Sequence, residues 1–211
     1  MDKGKFITIE GGDGAGKSTQ IPFVEQLIRN RGHKLQVTRE PGGTELGEQL
    51  REILLNFSAG KMCDDTELML MFAARKQHLY EVITPALEAG VWVLCDRFTD
   101  ATYAYQGGGR GIDASRIEVL EDWVQQGLQP DLTLLLDVPV EIGLGRIGKR
   151  GDVSDRFEQQ QVCFKELVRE SYLDRTRRFS HRIKRIDAAQ KVDAVQIRIV
   201  EEFNAFADNV T

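Results

Sequence analysis

The sequence predicts an α/β fold in which helices cover both faces of a five-stranded parallel sheet. Short segments rich in apolar and β-branched residues alternate with segments whose apolar residues recur at helical spacing. The strand segments are apolar on both faces, as in strands buried between two layers of helices. With 211 residues, of which 41% are hydrophobic, the chain is expected to form one domain, residues 1–211.

The predicted elements follow in order along the chain. The first strand, residues 5–10 ("KFITIE"), leads directly into a glycine-rich segment. Helical spacing then covers residues 20–32, where Gly32 is a suitable C-cap. The remaining elements are a strand (34–40), a helix (44–56), a longer helical region (64–90), a strand (91–96), a helix (114–128), a strand (131–138), a helix (155–180), a strand (182–187) and a helix from Lys191 onward.

Four polar residues end predicted strands. Ligands of open parallel sheets bind beyond the carboxyl ends of the strands, so the functional site is expected at this edge of the sheet. The residues that fall there are Glu10, Arg39, Asp96 and Asp137.

Composition restricts the function classes. The net charge of -5 disfavours a surface that coats nucleic acid and favours a small-molecule partner. The N-terminus lacks an apolar segment of signal-peptide length, and the longest apolar run, residues 68–74, is too short to span a membrane, so we expect a cytoplasmic protein. Three cysteines without a CxxC pair and three histidines without an HExxH pattern indicate neither a disulfide framework nor a zinc site.

The segment "EGGDGAGKST" (10–19) matches GxxxxGK[ST] over residues 11–18, between a predicted strand and a predicted helix. Its glycines allow backbone N–H groups to converge on phosphate oxygens, and Lys17 adds a positive charge near them. The pattern predicts a three-layer P-loop fold that binds a nucleoside triphosphate. The residues predicted to contact ATP here are Gly11, Gly12, Asp13, Gly14, Ala15, Gly16, Lys17, Ser18 and Thr19. A regulatory GTPase would also carry an NKxD run, which the sequence lacks.

Three further stretches complete a specific combination: "TREPGGT" (38–44), "FAARKQH" (72–78) and "DRFTDATYAYQGGGRG" (96–111). Together with the glycine loop they resemble the thymidylate kinases of bacterial type, P-loop nucleoside monophosphate kinases that transfer the γ-phosphoryl group of ATP to dTMP. The resemblance runs from about residue 6 to about residue 178. It implies ATP and dTMP as substrates, Mg²⁺ as cofactor, and a homodimer.

Charged residues are expected to hold the acceptor phosphate. A dianion is best held by the planar fork of a guanidinium group, and Arg39 and Arg97 each lie at a strand end. Ion pairs with Glu40 and Asp96 are the alternative role for these arginines. The resemblance implies that Asp13 turns away from ATP toward the acceptor, near the deoxyribose 3'-hydroxyl.

The resemblance also implies how thymine is recognised. Arg75 would donate to thymine O4, which a cytosine amino group could not replace. Phe72 would stack on the ring, although many family members place Phe four residues before this Arg, where this chain has Met71. Phe72 is otherwise a core residue. The other residues implied to contact dTMP are Thr102 and Gln106, at the base edge, and Tyr105, beside the 2' carbon of the sugar.

Catalysis is expected to be electrostatic. The attacking phosphate oxygen is already anionic, so no general base is required. Eukaryotic-type thymidylate kinases carry an arginine where this chain has Gly14, and the basic segment 145–158 resembles the bacterial lid that supplies arginines instead. Arg146 and Arg150 are predicted to contact ATP. The residues predicted to be catalytic are Asp13, Lys17, Arg97, Arg150 and Arg156.

Ser18 and Asp96 are the predicted magnesium ligands, although Asp96 could instead orient Arg97. Two other functions remain open at this point. One is a nucleoside monophosphate kinase of the same fold with a different acceptor, and the other is a non-catalytic ATP-dependent switch.

Overall fold

The computed structural model describes residues 3–148 and 155–209, and it contains a sheet of five parallel strands. The strand order is β2-β3-β1-β4-β5, with every neighbouring pair parallel. The strands are β1 (Phe6–Glu10), β2 (Leu35–Arg39), β3 (Trp92–Asp96), β4 (Leu132–Asp137) and β5 (Ile183–Asp187). The predicted α/β fold and its five strands are therefore confirmed.

Helices connect the strands within the described residues. The α-helices are α1 (Lys17–Asn30), α2 (Glu45–Asn56), α3 (Asp64–His78), α4 (Thr84–Glu88), α5 (Thr99–Thr102), α6 (Ala114–Gln125), α7 (Val140–Ile147), α8 (Val162–Arg178) and α9 (Val192–Ala207). The long helical region predicted over 64–90 consists of α3, a π-helical segment (Leu79–Ile83) and α4. A second π-helical segment, Tyr103–Gly109, follows α5. The sequence interpretation did not include α5, this π-helical segment or α7.

Two layers of helices pack on the sheet. Side chains alternate along β1, so that Ile7 and Ile9 pack with residues of α1 and α9, whereas Phe6 packs on the opposite face with residues of α3 and α6. Residues of α8 complete the second layer, around Leu135 of β4. Burial on both faces explains why the strands of the sheet centre are mostly apolar.

One predicted helix begins later than expected. The interpretation of residues 155–180 as one helix is wrong at its start, because α8 begins at Val162. The Asp155 carboxylate accepts hydrogen bonds from the backbone N–H groups of Phe157 and Glu158 at 2.8 and 2.9 Å, which fixes a turn. An aspartate that bonds its own following backbone favours a turn over a helix interior.

The carboxyl ends of β1, β2 and β3 lie side by side, because these strands are neighbours in register: Ile9 pairs with Asp96, and Arg39 also pairs with Asp96. Among the described residues no helix is both long enough and apolar enough to cross a membrane.

Candidate active site

The glycine loop joins β1 to α1. Gly11, Gly14 and Gly16 have φ values of 144°, 74° and 91°, which only glycine adopts without strain. A Cβ atom on Gly11 would lie 2.5 Å from the carbonyl oxygen of Leu136, so the loop also runs against β4. The chain thus turns sharply at the sheet edge and begins a helix, which is the arrangement that presents backbone N–H groups to phosphate.

Helix α7 packs directly against this loop. A Cβ atom on Gly14 would lie 2.2 Å from the carbonyl oxygen of Gly143, and one on Gly143 would lie 2.6 Å from the carbonyl oxygen of Asp13. Arg146 of α7 donates to the Gly14 carbonyl oxygen at 3.2 Å and to the Ala188 carbonyl oxygen at 2.9 Å. Arg146 therefore lies between the loop and the segment after β5.

A cleft of about 240 Å³ opens at the carboxyl ends of the strands. It brings together most of the residues that the sequence predicted. Those that line it are Asp13, Gly14, Ala15, Gly16, Lys17, Ser18, Arg39, Arg75, Asp96, Arg97, Thr102, Tyr105 and Gln106. Gly11, Gly12, Thr19 and Phe72 are not among the lining residues.

The Asp13 carboxylate is bound by residues of the segment that follows β3. Its Oδ1 atom accepts from Arg97 Nη2 at 3.3 Å and from the Tyr105 hydroxyl at 3.1 Å. The Arg97 guanidinium also lies over the Tyr105 ring, 4.8 Å from its centroid. These three side chains form one unit, so the loop carboxylate is held by a guanidinium group, which offsets its negative charge.

Arg97 is also fixed by a buried chain of hydrogen bonds through Tyr172 to Glu10. Its Nη1 atom donates to the Tyr172 hydroxyl at 3.1 Å, and that hydroxyl donates to Glu10 Oε2 at 2.8 Å. Burial and the nearby Asp100 raise the pKa of Glu10 to about 8. Arg97 itself has φ 69°, a left-handed conformation that is uncommon for a residue with a side chain and that is found at functional sites.

A second buried network fixes Arg75. Its Nε atom donates to Glu40 Oε2 at 2.7 Å and its Nη2 atom to the Thr102 hydroxyl oxygen at 2.9 Å. Its Nη1 atom is buried without a hydrogen-bond partner in the part of the chain that the structure describes. Because a buried unsatisfied donor is costly, an orphaned guanidinium nitrogen at a cleft indicates a ligand acceptor.

Glu40 is in turn held by a histidine. His78 Nδ1 lies 3.0 Å from Glu40 Oε1, and its Nε2 atom lies 2.6 Å from the Thr38 hydroxyl oxygen. Burial alone would raise the pKa of Glu40, but Arg75 and His78 hold it below its usual value. The carboxylate therefore stays charged and fixes the Arg75 guanidinium plane.

The expectation that Phe72 stacks on a base needs correction. Phe72 is buried in the core beneath Arg75, whose guanidinium lies 4.8 Å from the centroid of the ring. Met71 lines the cleft instead. A residue three positions before Arg75 and one four positions before it differ by 100° around the helix, and only the latter faces the cleft here.

The arginines at the end of β2 surround the open side of the cleft. Arg39 donates to Glu48 at 2.8 Å rather than pairing with Glu40. Arg51 of α2 also lines the cleft and donates to the Pro41 carbonyl oxygen at 2.9 Å. Burial and the neighbouring Arg39 lower the pKa of Arg51. Two guanidinium groups close to each other at a cleft wall are suited to an anionic ligand.

Lys17, Ser18 and Asp96 line the same cleft next to the glycine loop. The Lys17 ammonium donates to the Gly11 carbonyl oxygen at 3.4 Å, and burial together with Arg97 lowers its pKa to about 8. Asp96 Oδ1 is buried and has no hydrogen-bond partner among the described residues. One orphaned carboxylate oxygen and one serine hydroxyl suit Mg²⁺, which takes few protein ligands and keeps water or phosphate oxygens on the rest of its coordination sphere.

The lid residues are placed differently from the prediction. Arg156 does not line the cleft: its Nη2 atom donates to the fully buried Glu67 at 2.6 Å, and its Nε atom donates to the Leu54 carbonyl oxygen at 2.9 Å. The prediction that Arg156 is catalytic is therefore corrected. Buried acceptors hold its guanidinium, so its role is to anchor the segment before α8 to α2 and α3. Arg150 lies outside the described residues.

Sequence reasoning missed several members of the site. Glu40 and His78 lie inside quoted stretches, but their roles follow only from the structure, where Glu40 contacts Arg75 and His78 contacts Glu40. Arg51 follows Glu48 by three residues in a predicted helix, so the two share one helix face; this spacing could have identified Arg51. The others are Tyr172, which accepts from Arg97, Glu10, which accepts from Tyr172, and Glu67. No sequence signal was available for these contacts because the partners are distant in the chain.

Known proteins match the chain over nearly its full length. Residues 9–199 match the family model described as "Thymidylate kinase". The thymidylate kinase of Alkalilimnicola ehrlichii is 54% identical over 211 residues, which cover 100% of this chain and 96% of that protein. The thymidylate kinase of Thiobacillus denitrificans is 58% identical over 93% of this chain and 94% of its own. A crystal structure of thymidylate kinase from Ehrlichia chaffeensis superposes with a TM-score of 0.76 and 33% identity, covering 95% of this chain and 99% of that one.

Proposed function

The chain belongs to the thymidylate kinase family, its activity is therefore that of a dTMP kinase, and we propose how its residues carry out the transfer of the γ-phosphoryl group from ATP to dTMP. The observation that carries the proposal is the cleft at the strand ends, where a phosphate loop and an orphaned buried guanidinium nitrogen face one volume.

Thymine binds at the Arg75 end of the cleft. Arg75 Nη1 donates to thymine O4, and the Thr102 hydroxyl, which accepts from Arg75, keeps its own proton for the ligand. Met71 packs against the base, and Tyr105 closes the wall beside the sugar. A pyrimidine with an exocyclic amino group would leave Arg75 Nη1 unpaired, and that loss is the basis of selectivity.

The acceptor phosphate binds between the guanidinium groups of Arg97, Arg39 and Arg51. Arg97 is pre-positioned by Tyr172 and Asp13, so little side-chain freedom is lost when the phosphate arrives. Asp13 orients Arg97 and Tyr105 on the acceptor side, which is why a carboxylate is tolerated within a loop that binds anions.

Transfer needs no general base, since the nucleophile is a phosphate oxygen. Lys17 and Arg97 neutralise the charge that spreads over the migrating group. Mg²⁺, when bound, supplies charge neutralisation on the donor phosphates, and Ser18 and Asp96 are the residues that would hold it. The backbone of residues 11–19 and Arg146 hold the donor, and Arg150, which lies outside the described residues, stays a predicted ATP contact. A single kinase domain acting in the cytoplasm stays a prediction from the sequence.

One coupled assay tests the proposal. ADP release is followed with ATP and Mg²⁺, with and without dTMP. We expect release to depend on dTMP, and dTDP to form in equal amount. Slow ADP release that is independent of any acceptor would instead indicate an ATP-dependent switch.

Comparison of acceptors separates dTMP kinase from its relatives of the same fold. We expect dTMP to be preferred, dUMP to be phosphorylated less efficiently by about tenfold to two-hundredfold in kcat/KM because it lacks one methyl group, and dCMP, AMP and GMP to react far more slowly. A preference for AMP or GMP would overturn the proposed acceptor site.

A homodimer is proposed through the exposed face of α3 and α6. These helices lie side by side, since Arg116 donates to Asp65 at 2.8 Å and Lys76 donates to the Val124 carbonyl oxygen at 3.3 Å. Large apolar side chains are exposed on α3 (Met69), on the π-helical segment that continues it (Tyr80) and on α6 (Val119 and Trp123). Adjacent exposed apolar side chains on one face are typical of an association surface.

The dimer proposal is tested by sedimentation at micromolar concentration. The wild-type protein should sediment as a dimer and Trp123→Glu as a monomer. The matched control is Ile197→Glu, an exposed apolar position on α9 in the other layer, which should remain dimeric. A wild-type monomer under these conditions would refute the proposal.

A further inference from the structure

A fully buried glutamate on α3 connects three elements next to the base end of the cleft. Glu67 Oε1 accepts from Gln106 Nε2 at 2.8 Å and from Arg110 Nε at 3.3 Å. Its Oε2 atom accepts from Arg110 Nη2 at 3.2 Å and from Arg156 Nη2 at 2.6 Å. The proposed mechanism gives none of these bonds a role, although Gln106 lines the cleft.

The carboxylate fixes which end of the Gln106 amide faces the cleft. A carboxylate accepts hydrogen bonds and does not donate them, so the amide must turn its NH₂ group toward Glu67. The carbonyl oxygen of Gln106 then points the other way. This orientation follows from the chemistry of the partner and holds even though amide nitrogen and oxygen have similar shapes.

The direction of the amide has a consequence for the base. The N3 position of thymine and of uracil carries a hydrogen, whereas N3 of cytosine has a lone pair. A carbonyl oxygen that faces the cleft beside Arg75 matches the N3–H donor, just as Arg75 Nη1 matches the O4 acceptor. The two groups together present a donor next to an acceptor, which is the complement of the thymine edge.

We propose that Glu67 is a positioning residue for acceptor specificity: it sets the orientation of the Gln106 amide so that the enzyme accepts pyrimidines with an N3–H group and rejects those with an unprotonated N3. This inference rests on the proposed binding of dTMP in the cleft. Arg110 and Arg156 contribute to this positioning, because they donate to the remaining acceptor sites of the Glu67 carboxylate.

The isosteric variant Glu67→Gln tests the inference because its outcome follows from the partners. Arginine can only donate hydrogen bonds, so Arg110 and Arg156 will donate to the carbonyl oxygen of the new glutamine side chain. Its NH₂ group then faces Gln106, whose amide turns over and presents NH₂ to the cleft. We expect kcat/KM for dTMP to fall at least about tenfold through a higher KM, the KM for ATP to stay within about twofold, and the ratio of dTMP to dCMP activity to fall at least about tenfold.

A double-mutant cycle separates positioning from a general structural role. In a Gln106→Leu background the amide is gone, so Glu67→Gln should change the ratio of dTMP to dCMP activity no further. The matched control is Asp65→Asn, which removes an exposed ion pair with Arg116 from the same helix and should leave both KM values unchanged. An unchanged ratio in Glu67→Gln, or an equal further fall in the Gln106→Leu background, would overturn the inference.

A measurement on the wild-type enzyme keeps the inference testable if Glu67→Gln does not fold. The N3 imino proton of dTMP labelled with ¹⁵N at N3 should be protected from solvent exchange when bound, as expected for a proton donated to Gln106. Exchange as fast as in free dTMP would refute the assigned bond. If the wild-type enzyme releases no ADP in response to dTMP, the proposed function fails, whereas an active enzyme with unchanged selectivity in the variant contradicts the present inference alone.

Discussion

At the scale of single residues, the acid within the phosphate loop has a partner on the other side of the site. Asp13 is bound by Arg97 and Tyr105, both of which belong to the segment after β3. Its charge is thus used to orient the acceptor side. In the proposed mechanism the donor phosphates would instead meet backbone N–H groups and Lys17.

Asp13→Asn should weaken the acceptor side selectively. The amide removes the negative charge that holds Arg97, and hydrogen bonds to charged groups contribute about 1.5 to 3 kcal/mol. We expect kcat/KM for dTMP to fall about tenfold to a hundredfold, while the affinity for ATP, measured by calorimetry, stays within about threefold. Normal turnover together with normal dTMP affinity would contradict this role.

The lowered pKa of Lys17 leads us to expect proton uptake when ATP binds. Burial and Arg97 lower the pKa of Lys17 to about 8 in the free enzyme, and phosphate oxygens favour the charged form and raise that pKa again. Above pH 8 the free lysine is largely neutral, so binding must take up a proton and the affinity for ATP must fall as the pH rises. Calorimetry in two buffers of different ionisation enthalpy should detect more uptake at about pH 8.5 than at about pH 7. Equal uptake at both pH values would refute the assignment.

At the scale of elements, the π-helical segment Tyr103–Gly109 places Tyr105 and Gln106 in the cleft. Its glycines allow α8 to approach: a Cβ atom on Gly108 would lie 2.6 Å from the Cβ of Ser171 and 2.8 Å from the Leu167 carbonyl oxygen. Ser171 also donates to the Tyr103 carbonyl oxygen at 3.0 Å. The segment is therefore fixed by backbone contact with α8, and π-helical turns of this kind are frequent at functional sites.

Gly108→Ala should displace this segment. The added methyl group meets the backbone of α8, and overpacking of this kind typically costs about 1 to 3 kcal/mol of unfolding free energy. We expect that loss in urea denaturation, together with a higher KM for dTMP. The matched control is Gly145→Ala in α7, where a Cβ atom meets nothing within 4 Å and the helix should be unchanged or slightly more stable. Equal stability of the two variants would contradict the contact.

The elements show where sequence reasoning succeeds. Strand identity, strand order along the chain and the glycine loop depend on local patterns, and these were predicted correctly. The start of α8 was not, because Asp155 forms a turn with its neighbours and Arg156 is held by Glu67 of a distant helix. The choice between Phe72 and Met71 required the rotation of α3 relative to the sheet, which neighbouring residues do not specify.

At the scale of the whole molecule, a buried ion cluster joins the cleft to the far edge of the sheet. Asp100 of α5 accepts from Arg175 of α8 at 2.8 Å and from Arg182, just before β5, at 2.7 and 3.0 Å. Although burial alone would raise the pKa of Asp100, hydrogen bonds and charge from the two arginines hold it below its usual value. One carboxylate of α5 therefore binds the end of α8 and the start of β5, which follow it by 75 and 82 positions in the chain.

Asp100→Asn should destabilise the whole fold. Removal of one member of a buried ion cluster leaves uncompensated charge, and the loss is typically about 3 to 5 kcal/mol in the free energy of unfolding. The measurement is urea denaturation at neutral pH. The matched control is Asp174→Asn, whose ion pair with Arg177 is exposed and whose loss should not measurably change stability. A variant as stable as the control would show that the cluster does not hold these elements together.

Site residues that lie within a recognisable sequence motif could be predicted from the sequence. Arg75, Arg97 and Lys17 were predicted because each belongs to a recognisable stretch, and each lines the cleft. Their supporting partners were not predictable: Glu40, Tyr172 and Glu67 act through contacts between residues 35 to 162 positions apart, and such pairing is created only by the fold.

The glycine pair at the loop and α7 also bears on how such enzymes can diverge. The loop and α7 approach so closely that neither Gly14 nor Gly143 leaves room for a side chain. Gly14 also has a backbone conformation that residues with a side chain rarely adopt. In this geometry an arginine at position 14 would meet the backbone of α7 and adopt a strained φ, so α7 would have to withdraw to admit it. A change in the side chain that the loop presents at this position therefore requires coordinated changes in two segments, the loop and α7.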